Sequence, residues 1–233
     1  LEKEKTLCIE RLKKENIFSL NSTLTLPLLP QRLAIISVAT SKGYSDFVQT
    51  MQENKHNYDF FYYLFPSLLQ GDNASTQMIE ALHMIEKVKD SFDCVLIIRG
   101  GGGDIGLSCY NNYDLCKTIA CFPLPILTGI GHSTNETVAE MTSYKNCITP
   151  TALANFILER FDNFYDNVIS IEQRLIKTSL QLIDRNKKEI DYFSKYLKLN
   201  AYSLINKEKE KLIGQEKYIK AMNPRNLLNK GYT

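Results

Sequence analysis

Arg99 closes an apolar run and is followed directly by Gly100, Gly101, Gly102, Gly103 and Asp104. Four consecutive glycines are costly in backbone entropy, and they make sense where main chain must approach a ligand closely. Their N–H groups can cradle a phosphate, and a guanidinium just before them can bind one bidentately. Some thirty residues on, Gly129-Ile130-Gly131 leads into His132, one of three histidines in the chain. His56 and His83 lie in ordinary loop and helix contexts, whereas His132 follows two glycines at the end of an apolar run, a position suited to a general acid or base. A third stretch, Thr40-Ser41-Lys42-Gly43-Tyr44-Ser45-Asp46, puts small polar residues and a glycine at a helix start. Backbone N–H groups there favour an anion, and Lys42 adds charge. The bland reading is that Ser45 caps the helix and Asp46, in its first turn, complements the dipole. A fourth stretch, Gln70-Gly71-Asp72-Asn73-Ala74, reads as a turn feeding a helix capped near Ser75.

Several chemistries fit poorly. Residues 101–106 satisfy G-x-G-x-x-G, but they do not follow the first strand, and the next strand ends in Gly-Ile-Gly-His rather than in an acid for a ribose. A metal site finds one well-placed histidine and scattered acids, with no HxH, HExxH or paired-acid spacing. A serine nucleophile lacks a G-x-S-x-G elbow.

The elements that must position these residues alternate in type. Helices are predicted over Glu2–Asn16, Tyr44–Glu53, Thr76–Lys89 and Tyr113–Ala120, and strands over Arg32–Val38, Asp59–Phe65, Asp93–Ile98 and Pro125–Gly129. Strands with continuous apolar runs, alternating with helices, indicate an α/β fold whose mostly parallel sheet is covered on both faces. Ligands of such sheets bind beyond the carboxyl ends of the strands, where all four stretches fall.

Gly and Pro then disappear from Thr151 to Ile213. Leu153, Ile157, Phe161, Phe164, Val168, Ile171, Leu175 and Leu182 recur at helical steps, giving a seam of coiled-coil character. Asn186 falls at a core position, so a break, stutter or hairpin is expected between Arg185 and Ala201. One unbroken helix would run ~95 Å at about 1.5 Å per residue, and would need a partner helix. The domains expected are an α/β domain over 1–150, a helical coiled-coil arm over 151–222 and the start of a C-terminal segment over 223–233.

The 233 residues suffice for a sizeable core, and 44% hydrophobic with 23% charged residues excludes a wholly disordered chain. No apolar run is long enough for a membrane span. Residues 1–150 carry 13 Lys/Arg against 16 Asp/Glu, and residues 151–233 carry 15 against 10, an excess compatible with nucleic-acid contact. The six cysteines form no CxxC pair and read as reduced core thiols of a cytosolic protein. The chain starts at Leu1 and reads as a piece of a longer protein.

Taken together, a strand ending in Arg-Gly-Gly-Gly, then Pro-x-Pro-Ile-Leu-Thr-Gly-Ile-Gly-His-x-Thr, then Thr-Pro-Thr-Ala-x-Ala before a long helix, resembles the large subunit of bacterial exodeoxyribonuclease VII. Leu28-Leu29-Pro30, Gln70-Gly71-Asp72, Asn223-Pro224 and Lys230-Gly231-Tyr232 also fall in that family's order. The resemblance implies hydrolysis of single-stranded DNA from either end, to short oligonucleotides and 5′-phosphorylated products, with no cofactor and no divalent metal required. It implies an N-terminal OB-fold outside this sequence, and several copies of a small helical subunit, for which the seam is the natural place. It places Asp46 at the family's acid in the first helix, Arg99 at the arginine before the glycines and His132 at the histidine of the Gly-His motif. Two departures stand out. The family's G-H-x-T-D ends here in Asn135, which accepts and donates hydrogen bonds but takes no proton, and its S-L-E-D-L is replaced by Gly103-Asp104-Ile105-Gly106-Leu107. Either Asp104, Glu136 or Glu140 fills these roles or the site is weakened.

In the reading that follows, Arg99 and the N–H groups of Gly100, Gly101 and Gly102, with Lys42, stabilise phosphoryl charge. His132 transfers the proton, Asp46 orients His132 or the water, and Asn135 holds a phosphate or the histidine. The rivals are a non-enzymatic scaffold that binds DNA or a nucleotide and organises helical partners, and an enzyme acting on a small phosphorylated substrate.

Overall fold

A computed structural model describes residues 2–100, 106–131, 136–228 and 231. The chain divides into two compact units, Leu1–Asn167 and Val168–Thr233.

The first unit is built on helices α1 (Glu2–Lys14), α2 (Lys42–Gln52), α3 (Ala74–Lys87), α4 (Tyr113–Ala120) and α5 (Val138–Thr142), with strands β1 (Arg32–Ser37), β2 (Phe61–Pro66), β3 (Cys94–Ile98), β4 (Ile126–Gly129) and β5 (Lys145–Asn146). The strands form one sheet in the order β2-β1-β3-β4-β5, and every pairing is parallel. The α/β expectation is met, with one strand more than the four read from the sequence. β5 has two polar residues, which give no apolar run to recognise.

Side chains alternate across the sheet, and both faces are buried. Ala34, Ile36, Val95, Ile97 and Ile126 point to the face covered by α1, α3, α4 and α5. Leu33, Ile35, Cys94, Leu96, Ile98 and Leu127 point to the face covered by Phe47 and Met51 of α2 and by Leu153, Ala154, Ile157 and Phe161. Those last four belong to the first turns of α6 (Pro150–Ala221), at the spacing of one helical stripe. Pro150 opens that helix, where its missing N–H costs nothing, and the Thr149 hydroxyl accepts a hydrogen bond from Ala152 N at 3.0 Å.

The second unit holds the rest of α6 and α7 (Pro224–Leu228). Of the break, stutter or hairpin expected between Arg185 and Ala201, the break and the hairpin do not occur, because α6 is continuous through it. One Asn at a seam position costs a helix less than about 1 kcal/mol. The flanking residues are strong helix formers, and Lys188 pairs with Asp184 at 2.7 Å, one turn apart across Asn186. Within this unit the apolar seam is exposed, with Leu175 and Leu197 each 67% accessible. No helix among the described residues is long and apolar enough to cross a membrane.

Candidate active site

The strand order puts β1, β3 and β4 side by side in the middle of a parallel sheet, so their carboxyl ends leave along one edge. The strand order reverses between β1 and β3: from β1 the chain moves to β2 on one side, and from β3 to β4 and β5 on the other. A crevice at that reversal is the usual ligand site of such sheets.

The local chemistry welds these exits together. Ser37, the last residue of β1, donates its hydroxyl to the Ile98 carbonyl at 2.7 Å. Its Oγ also lies 3.3 Å from the Ser41 Oγ. Ser41 caps α2, accepting from Tyr44 N at 3.2 Å. The Ser45 cap expected from the sequence is therefore replaced by one four residues earlier. As a result Asp46 sits in the second turn of α2, not the first, and its carbonyl accepts the Thr50 hydroxyl at 2.8 Å.

The longer helix carries Gly43 within its first turn, and Gly43 lies directly against Gly100. A Cβ on Gly100 would fall 1.9 Å from Gly43 N and 2.1 Å from its Cα. A Cβ on Gly43 would fall 2.4 Å from Gly100 Cα. Both glycines are needed for the same reason: two backbones meet with no room for a methyl group. The contact sets Lys42 and the start of α2 beside Arg99 and Gly100. On the other side, Arg99 N donates to Gly129 O at 3.0 Å, tying the β3 exit to the β4 exit. There Gly131 adopts φ +82°, a left-handed conformation that glycine accepts without strain.

Arg99 is only 4% exposed. Its positive charge acts on Cys109 and Tyr110, opposing the upward shift that burial imposes on both groups. Those residues belong to a 3-10 turn, Leu107–Asn111, pinned to the β2 exit by the Tyr110 hydroxyl, which donates to Leu69 O at 3.1 Å. The β2 exit and the end of the glycine segment thus share one wall. Helix α3 begins at Ala74 after Asn73, without the Ser75 cap expected.

Lys42, Gly43, Arg99 and Gly100 are brought together, and Asp46 lies one turn along the same helix. Gly101, Gly102, Asp104, His132 and Asn135 lie outside the described residues. The other two candidate acids have occupations of their own. Glu136 accepts from Asn146 Nδ2 at 3.0 Å. Glu140 is buried, and its Oε2 accepts Thr137 N at 2.7 Å and the Thr137 hydroxyl at 2.8 Å, closing a capping box on α5. Thr137 is thus the N-cap of α5. Burial outweighs these bonds and raises the Glu140 pKa. The signal was present as Thr-x-x-Glu before an apolar helix start. Ser37 and Ser41 carried no such local signal. Among the described residues, no group of three or more His, Cys, Asp and Glu side chains is placed to hold a metal ion.

Residues 17–213 match the family described as Exonuclease VII, large subunit. The exodeoxyribonuclease 7 large subunit of Clostridium acetobutylicum is 27% identical over 247 residues, covering 96% of this chain and 61% of that protein. The Thermotoga petrophila protein of the same name is 26% identical over 96% of this chain and 62% of its own length. That of Clostridium tetani is 32% identical over 64% of this chain and 37% of its own. The chain thus spans about three fifths of the length of the first two of these relatives.

Proposed function

The chain belongs to the exonuclease VII large-subunit family, and from that premise we propose that it hydrolyses phosphodiester bonds of single-stranded DNA from its ends, giving short oligonucleotides and 5′-phosphorylated products. The observation that carries this reading is the meeting of the β1 and β3 exits at Gly43 and Gly100, at the point where the strand order reverses. Phosphodiester hydrolysis needs a positioned water, charge stabilisation on the phosphoryl oxygens and a proton for the leaving oxygen. Arg99 and Lys42 supply fixed positive charge, and the N–H groups of Gly100, Gly101 and Gly102 supply donors that need no reorganisation. His132 is the proton-transfer group, next in sequence to the left-handed Gly131. Asp46 orients His132 or the water from the second turn of α2. Asn135 holds a phosphate oxygen or the histidine by hydrogen bonding.

In this reading residues 1–150 are the nuclease domain, and residues 151–222 are an arm whose exposed seam carries several copies of a small helical subunit of the same enzyme. Residues 223–233 begin a C-terminal segment. Free, mostly buried cysteines accord with a cytoplasmic protein.

The test is the assembled enzyme on end-labelled single-stranded DNA, with EDTA and with magnesium. Short 5′-phosphorylated products in EDTA support the reading. Binding of the DNA without cleavage under either condition overturns it and leaves the scaffold rival.

A further inference from the structure

We propose that a cavity beside the candidate active site, between α1 and the β2 exit, is the subsite for one unpaired nucleobase of the DNA strand. The proposal rests on the nuclease reading above and names where a base lies while its phosphate is cleaved. The cavity measures about 520 Å³, with walls from three places. Arg11 comes from α1, Asp72 and Ser75 from the turn beyond β2 and the first turn of α3, and Ser108 and Tyr113 from the 3-10 turn and the start of α4. That volume falls among small-ligand sites, which span roughly 300–1,000 Å³. The cavity adjoins the end of the glycine segment. Cys109, on its lining, donates its thiol to the Gly106 carbonyl at 3.2 Å. A Cβ on Gly106 would meet Gln70 Cβ at 3.1 Å, one residue before the Gly71 that also lines the cavity. The positive charge of Arg99 reaches Cys109 as well.

The lining suits a base in two ways. The Arg11 guanidinium lies over the Tyr113 ring, 3.6 Å from its centre, and the Tyr113 hydroxyl donates to Glu15 at 2.6 Å. A guanidinium held on a ring is a preset stacking surface, and unpaired bases stack on both kinds of group. The polar groups then match a base edge, which mixes donors and acceptors. Asn111 Oδ1 accepts Val138 N at 2.9 Å, and Asn112 Oδ1 accepts Leu115 N at 3.1 Å. With Oδ1 committed, the group that each brings to a ligand is its Nδ2 donor. The Asp72 carboxylate is an acceptor, and the Ser75 and Ser108 hydroxyls serve either way. A phosphate fits less well, because Glu4 and Asp72 on the same lining offset the charge of Arg11. The phosphodiester therefore stays with Lys42, Arg99 and Gly100, and the base turns into the cavity.

The experiment binds the assembled enzyme to single-stranded DNA carrying one 5-iodouracil, moved stepwise along the strand, irradiates the complex and maps the crosslinked peptide. The expected result is a crosslink to Tyr113 from one position near the cleaved bond and not from its neighbours. The unsubstituted enzyme gives this result, so it does not depend on the folding of a variant. The Arg11 side chain is 62% exposed, so its loss leaves the core intact. Arg11→Ala is expected to raise KM for the DNA roughly tenfold, as loss of one stacked base does, and to leave kcat within about twofold. An abasic residue at the crosslinking position is expected to cost the parent the same factor and to cost Arg11→Ala nothing further. Crosslinks that miss Tyr113 at every position, or a KM indifferent to both Arg11→Ala and the abasic residue, would overturn the subsite while cleavage by the parent leaves the nuclease reading standing. The converse, a Tyr113 crosslink to DNA that is bound and not cut, supports the base site and removes the nuclease reading.

Discussion

Gly100 and Gly43 do together what neither shows alone. In the sequence, Gly100 looks like one member of a flexible run and Gly43 like a weak helix start. In the fold they are the two halves of one backbone contact, and the helix runs through Gly43 despite its poor helix propensity because any side chain there would strike Gly100. Gly100→Ala is therefore expected to separate the β1 and β3 exits, at a cost of ~1–3 kcal/mol as in other overpacked sites, and to lower cleavage more than DNA binding. Gly214→Ala, where an added methyl meets nothing within 4 Å, should stabilise its helix by up to about 1 kcal/mol. Urea unfolding followed by circular dichroism compares them; equal effects would show that the Gly43–Gly100 contact is unimportant. This pairing was illegible beforehand because it joins residues 57 positions apart, and no local pattern records that. Asn135 poses a separate question at the same level. If it holds a phosphate, Asn135→Asp adds repulsion and slows cleavage; if it is a weakened form of the family's acid, the change raises the rate. Equal rates for Asn135→Asp, Asn135→Ala and the parent would remove it from the site.

The long elements were readable because their burial is complete. Cys94–Ile98 is apolar at every position since both faces of β3 are covered, and α4 occupies the residues its pattern predicts, with Asn112 as its cap. What escaped was short or set by tertiary contact: β5, the 3-10 turn at Leu107–Asn111 and the capping positions of α2 and α3. Near Asn186 neither a break nor a hairpin forms, because a Gly- and Pro-free stretch of strong helix formers tolerates a single polar seam residue. Helix α5 offers a pH test of its cap. Burial raises the Glu140 pKa, so on raising the pH the unfolded carboxyl releases its proton before the folded one does. In that window the folded state holds more protons, and stability from Glu140 present at lower pH is lost as pH rises through the folded pKa. Glu140→Gln removes this slope while keeping an acceptor for Thr137. Melting temperatures measured from pH 4 to 7 should move in favour of Glu140→Gln as pH rises. A constant difference between the two proteins would mean that Glu140 does not titrate there.

For the molecule as a whole, the sheet order turns three separated sequence stretches into one candidate site. Parallel pairing sends β1, β3 and β4 out along the same edge, and the hydrogen bonds Ser37 to Ile98 and Arg99 to Gly129 fix the spacing of their exits. If Lys42, Asp46, Arg99 and His132 serve one phosphodiester, they should behave as a unit, and the effects of losing them should not multiply. The decisive measurement is single-turnover cleavage of end-labelled single-stranded DNA by the assembled enzyme carrying Arg99→Ala, His132→Ala or both, with DNA affinity measured alongside. Each single substitution is expected to slow cleavage by ~10²–10⁴-fold with affinity nearly unchanged, and the double substitution to be little slower than the worse single one. Cleavage unaffected by His132→Ala, or losses from the two sites that multiply in full, would mean that the β3 and β4 exits do not form one catalytic centre.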